Sequence, residues 1–219
     1  LFDAQPMLFL RDYLSRGYPG AESLLVRLAT EPSDGNVRTA AIHTIAASIN
    51  PRAPRLIREV ADKASDEWTA RFAIAELAAS LHVTMEHLIR KKITPAREAV
   101  LDALETLGLA LQGEWFEPKD EISSILAALD YKRFDFERAT QGQIPARVEK
   151  QVIDGLMSVL SSGDLTNEMF EQTLNVVKEW GSEYALDKLR SLWNALDRKG
   201  RRDMVFDAVA EIKHRLNLN

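Results

Sequence analysis

The stretch NVRTAAIHTIAAS at residues 36–48 returns thirty-two residues later as WTARFAIAELAAS at 68–80, with five of thirteen positions identical. The identities are Ala41/Ala73, Ile42/Ile74, Ala46/Ala78, Ala47/Ala79 and Ser48/Ser80, and Ile45 stands opposite Leu77. Apolar pairs recur at the same interval, as Leu24-Leu25, Leu56-Ile57 and Leu88-Ile89. A unit of this length holds two helices with one apolar face each. That is too little to close a core alone, so each unit has to stack on a neighbour. The sequence therefore predicts an all-α chain forming a single domain over 1–219, with regular repeats at 20–112 and irregular ones at 113–219. About six stacked helical hairpins fit this length, and no segment alternates as a strand would.

Local signals fill in the expected elements. Leu1 to Arg16 reads as a capping helix closed by Gly17 and Gly20. Asp34 and Asp66 stand where each repeat copy needs an N-cap, and Asn50-Pro51 and Thr94-Pro95 read as a cap followed by a first-position proline. Val37, Ala41, Ile45 and Ile49 recur every four residues as one stripe. Trp68, Phe72, Ile74, Leu77, Ala78 and Leu81 cover most of the following helix, which is expected to be the most buried. Met85, Leu88 and Ile89 then open a third pair, with its second helix after Thr94-Pro95. Thr39, His43 and Ala47 lie off the main stripe, as do Arg71, Ala75 and Ala79, and the six are expected to share a partly exposed ridge. Beyond Gly113 the regularity slips. Pro118 starts a helix, Pro145-Ala-Arg147 repeats Pro95-Ala-Arg97, and helices follow over 166–180, 183–196 and 201–216.

The run D-G-N-V-R-T-A-A at 34–41 resembles the start of the second helix of a HEAT repeat, where an aspartate precedes a valine-arginine pair and small apolar residues. Asp66 to Ala73 is similar, with Arg71 one position later; afterwards only Val-x-Asp-small-apolar recurs, at Val100–Leu104, Val152–Leu156 and Val205–Val209. The resemblance covers residues 20–112 and implies a right-handed α-α superhelix, an α-solenoid, used as a docking surface for protein and sometimes for nucleic acid. An armadillo-like stack fits the same degenerate motif. Neither implies a catalytic residue.

Composition narrows the function classes. A chain with 46% hydrophobic and 28% charged residues and ten glycines is ordered and helix-rich. A net charge of −5, with neither half basic, does not describe a general polyanion binder. The absence of cysteine removes disulfides and thiolate chemistry and agrees with a reducing interior, so a cytoplasmic setting is expected. The longest uncharged stretch, Thr39 to Pro51, is 13 residues and includes His43 and Asn50, so no membrane segment is expected where ~18 to 20 apolar residues are needed. The chain begins at Leu1 rather than Met, which fits either an excised domain or a processed form.

Chemistry is sparse. His82 and His87 fall on different helix faces and His43 and His214 are isolated, so no metal or other cofactor is expected. Glu114 with Glu117 and Asp120 with Glu121 read as solvated or dipole-compensating carboxylates near a helix start. Two surfaces stand out. One is a possible basic edge formed by Arg52, Arg55 and Arg58 with Arg90, Lys91 and Lys92 one unit later, among which Glu59, Asp62 and Glu86 are interspersed. The other is the irregular insertion, where Trp115, Phe116, Tyr131, Arg133 and Phe134 are candidate partner-binding residues, at least two of them expected to be accessible on one surface. The expectation is a non-enzymatic interaction module whose partner is another protein. The alternative is a nucleic-acid-binding HEAT-like protein such as an alkylbase DNA glycosylase. That enzyme needs a basic concave face and tryptophans around an extruded base, whereas Trp68, Trp180 and Trp193 sit in apolar stripes here.

Overall fold

A computed structural model describes residues 5–18, 20–31, 34–117 and 121–218. Residues 1–4, Pro32-Ser33 in the expected first turn, the expected helix-starting Pro118 and the carboxylate of Asp120 lie outside them. Among the described residues there are twelve helices and no strand. They are α1 (Gln5–Ser15), α2 (Ala21–Thr30), α3 (Gly35–Ala46), α4 (Ala53–Lys63), α5 (Glu67–Ile89), α6 (Arg97–Leu111), α7 (Ile122–Leu129), α8 (Arg133–Ala139), α9 (Ala146–Ser161), α10 (Asn167–Trp180), α11 (Glu183–Ala195) and α12 (Lys199–Arg215).

Helices pack on their chain neighbours and on the helix after next, which produces two layers. One layer runs α2, α4, α6, α9, α11; the other runs α1, α3, α5, α7, α10, α12, with the short α8 set against α5. The two repeat copies are α3 and α5, and their shared apolar positions are equivalent in burial: Ala41, Ile42 and Ile45 match Ala73, Ile74 and Leu77, all in the core. Asp34 caps α3 through the Asn36 N–H at 2.8 Å, and Asp66 caps α5 through the Thr69 N–H at 2.8 Å. The Thr69 hydroxyl also donates to Asp66, at 2.9 Å. Asp66→Ala should cost ~1 kcal/mol in urea denaturation, with Asp66→Asn close to wild type because the amide oxygen still accepts.

The third unit departs from the expected register. Ser48 is followed by Ile49-Asn50-Pro51 and α3 stops; the aligned Ser80 is followed by Leu81-His82-Val83, which holds no breaker, and α5 runs on to Ile89. Met85 and Leu88 therefore belong to α5 and do not open a third pair. The helix after Thr94-Pro95, α6, lies in the layer of first helices, packed on α4 and α9. Pairing then gives α2–α3, α4–α5, α6–α7, α9–α10 and α11–α12, five pairs with α1 and α8 outside them, in place of six. Thr94 is not the cap of α6: that position is Ala96, with no side-chain bond.

Several apolar positions differ from expectation, Val37 being half-buried and Trp193 exposed. Ile49 lies beyond the end of α3 and is 85% exposed. Trp68 is also exposed and Phe72 half-buried, stacked on each other at 5.5 Å, so α5 is not covered around its whole circumference. At 23 residues α5 is, among the described residues, long and apolar enough to cross a membrane by length and composition, although it packs against α3, α4, α6 and α7. The six ridge residues are all half-buried or exposed, and His43 Nδ1 meets Glu76 across the α3–α5 contact at 2.9 Å.

Candidate docking groove

The insertion after Gly113 folds mostly inward. Phe116 is in the core, and Trp115 is half-buried with its indole N–H donating to Asp62 at 2.9 Å. Arg133 is held by Glu137 at 3.1 Å and Glu149 at 3.0 Å. The Tyr131 hydroxyl lies 2.9 Å from His82 Nδ1, and its ring packs edge-on to the buried Phe136, which meets Trp180. Of the candidate side chains here only Phe134, 68% accessible, falls in the exposed class. The aromatics that break the repeat are thus chiefly the packing of an irregular unit.

Burial, and then Glu86, Asp130 and Asp135, push the Tyr131 phenol up to about 12. The folded state holds this proton more tightly than the unfolded chain, in which tyrosine titrates near ~10. Stability tied to Tyr131 is therefore complete below pH ~10 and lost as pH rises through about 12. A phenolate absorbance titration should show a late step that is missing in Tyr131→Phe.

The basic edge is divided and largely neutralised. Arg52 pairs with Glu22 at 2.6 Å, Arg55 with Asp102 at 2.6 Å and Arg58 with Glu105 at 3.7 Å, each bridging α4 to a neighbour in its own layer. Arg147 of α9 also reaches Glu105. Such exposed pairs add little stability, but they cancel the field a phosphate track requires. Asp102, and Asp154 with Lys188 at 2.8 Å, show that the recurring Val-x-Asp aspartates at these two places serve contacts between neighbouring first helices. Arg90 sits at the far end of α5, paired with Glu86 at 2.5 Å. Lys91 and Lys92 beside it are exposed and carry no ion pair among the described residues.

Near those lysines lies a feature that sequence reading missed. A cavity of about 280 Å³ opens between the 47–52 and 90–96 connections, walled by α3, α4, α5 and α6. Its lining includes Ala46, Ala53, Ala96, Ala99 and Ala103, small residues where larger ones would close the space, over Ile57 and Leu77. Ile49 and the 42%-exposed Ile93 belong to it as well. No charged side chain lines it. Its polar side chains are partly consumed within the fold: Ser48 donates to the Ile45 carbonyl at 2.8 Å, Ser80 to Ala46 at 2.9 Å, and Asn50 to Leu14 at 2.8 Å. What remains is a concave, mainly apolar receptacle of the kind that accepts a side chain.

No family model, curated protein or solved structure matches the chain. Among the described residues no three histidine, aspartate or glutamate side chains gather as a metal site.

Proposed function

We propose that this chain is a HEAT-like α-solenoid, a right-handed stack of helical pairs, whose job is to dock another protein without doing chemistry on it. The observation that carries the reading is the open groove between α3, α4, α5 and α6, with Ile49 and Ile93 left exposed in its lining. Large aliphatic side chains beside an apolar hollow gain nothing from packing in the isolated chain, and they are the anchors of an interface. The layered contacts and the matching burial of α3 and α5 support the repeat architecture. The pairing of Arg52, Arg55 and Arg58 with carboxylates weighs against a nucleic-acid track and hence against the glycosylase alternative. Phe134 offers a secondary contact.

The test is site-specific photocrosslinking in cells, with p-benzoylphenylalanine replacing Ile49 or Ile93 and, as a control, the exposed Asn175. Adducts that form at the first two positions, are digested by protease and resist nuclease are the expected result. Nuclease-sensitive adducts, or the same yield at Asn175, would overturn the reading.

A further inference from the structure

Resting on the docking reading above, we infer that the groove takes an acidic peptide: one or two aliphatic or aromatic side chains seated in the apolar hollow, with aspartate or glutamate flanking them. Three observations at the same place converge on this chemistry. The first is the hollow itself, whose lining is apolar apart from a few hydroxyls and one amide, so it selects a hydrocarbon anchor over a polar one.

The second is the charge around it. Lys91 and Lys92 immediately precede Ile93 in the groove wall, and both are exposed with no carboxylate partner among the described residues. On the other side of the same connection, Arg97 donates to two backbone carbonyls, those of Thr140 and Gln143, and makes no ion pair with a carboxylate among the described residues. Arg52 and Arg90 are paired, with Glu22 and Glu86, and Glu98 is exposed in the first turn of α6 near Arg55. The balance at this end of the groove is positive in a chain whose net charge is −5. The carbonyl end of α5 favours cations on its own account, but Arg90 already stands there as the helix cap, and the two lysines beyond it remain uncompensated.

The third is the start of α6. Ala96, part of the groove wall, occupies its N-cap position without any side-chain hydrogen bond, as the N-cap residues of α2, α4, α7, α8, α9 and α12 also do, and α6 is the one of these whose N-cap residue lines the groove. The positive dipole end of a fifteen-residue helix thus begins at the groove wall, with Glu98 as the acidic residue of its first turn, and a peptide carboxylate there would meet N–H groups that no side chain caps. Apolar anchor, lysine pair and uncapped helix end fit one ligand, an extended or helical peptide with hydrophobic residues between acids.

The experiment pans a phage-displayed library of random dodecapeptides against the 219-residue chain at low salt. The selected peptides are then synthesised and their affinities measured for wild type, Lys91→Glu/Lys92→Glu, Ala99→Leu, which fills the hollow, and Ile49→Ser. Ile49 is exposed, so its replacement leaves the fold unperturbed; circular dichroism melting checks the others. The expected result is enrichment of apolar residues flanked by Asp or Glu, with affinity lowered roughly tenfold or more by the double charge reversal and by raised salt. Ala99→Leu and Ile49→Ser should weaken the same peptides. Peptides that respond to Ala99→Leu and Ile49→Ser but not to charge reversal or salt would overturn the acidic specificity and leave the docking reading standing. If no selected peptide responds to either groove variant, both fall.

Discussion

Replacing Trp180 with alanine is expected to lower the unfolding free energy by ~3 to 5 kcal/mol. Trp180 is fully buried at the end of α10, where its ring meets Phe136 of α8 at 5.0 Å. Phe136 in turn meets Tyr131 edge-on at 6.0 Å, so one indole supports the whole irregular unit. Truncation removes that packing and leaves a cavity that the surrounding helices fill only in part. It also removes one of the two donors to the Leu129 carbonyl at the end of α7, the indole N–H at 3.1 Å, and leaves the Tyr131 N–H at 2.8 Å as its remaining partner. Trp180→Phe separates the two effects, since it keeps most of the volume and loses the hydrogen bond; its cost should be smaller, on the order of 1 to 3 kcal/mol. Urea denaturation followed by far-ultraviolet circular dichroism reads both variants without depending on tryptophan emission. A loss under 1 kcal/mol for the alanine variant would mean that the 131–180 aromatic chain is not a packed unit.

What could be read from the sequence was whatever is decided within a turn or two of chain. Asp34 and Asp66 were legible as caps because an acceptor ahead of an apolar stripe has one use there. Ile42, Ile45, Ile74 and Leu77 were legible as core because helical spacing fixes which side chains share a face. The third unit departs from the period because residues 81–83 lack the Asn-Pro that follows α3, so the apolar positions Met85 and Leu88 continue one helix in place of opening another. Local chemistry there outranks the repeat. The roles of Arg52, Arg55 and Arg58 were not legible, since their partners Glu22, Asp102 and Glu105 are brought near only by helix stacking. The groove is a further step removed, being defined by what four alanines on three helices, and Ala96 on one connection, fail to fill.

A glycine within a helix costs ~1 kcal/mol relative to alanine, which makes Gly108 in α6 and Gly155 in α9 anomalies unless the missing side chain is needed. Here α6 and α9 cross so closely that a Cβ on Gly155 would lie 2.5 Å from the Gly108 carbonyl oxygen and 2.9 Å from Leu111 Cβ. One on Gly108 would lie 2.7 Å from the carbonyl oxygen of Gln151. These obstacles are backbone or the root of a side chain, so no rotamer change relieves them and the helices have to separate. Gly155→Leu is therefore expected to lose ~3 kcal/mol or more, and Gly155→Ala about 1 to 3 kcal/mol despite its better helix propensity. Gly200 supplies the opposite sign: it lies in the first turn of α12 with nothing near its would-be Cβ, so Gly200→Ala should be neutral or stabilise by up to ~1 kcal/mol. The contrast between two identical substitutions, both measured by chemical denaturation, isolates the crossing from propensity. The crossing also bears on docking, because α6 contributes Ala99 and Ala103 to the groove wall. Pushing α6 away from α9 moves that wall, so Gly155→Ala should weaken a groove-bound peptide at temperatures where the chain is still folded. A Gly155→Ala variant as stable as Gly200→Ala would show that the two helices do not meet backbone to backbone.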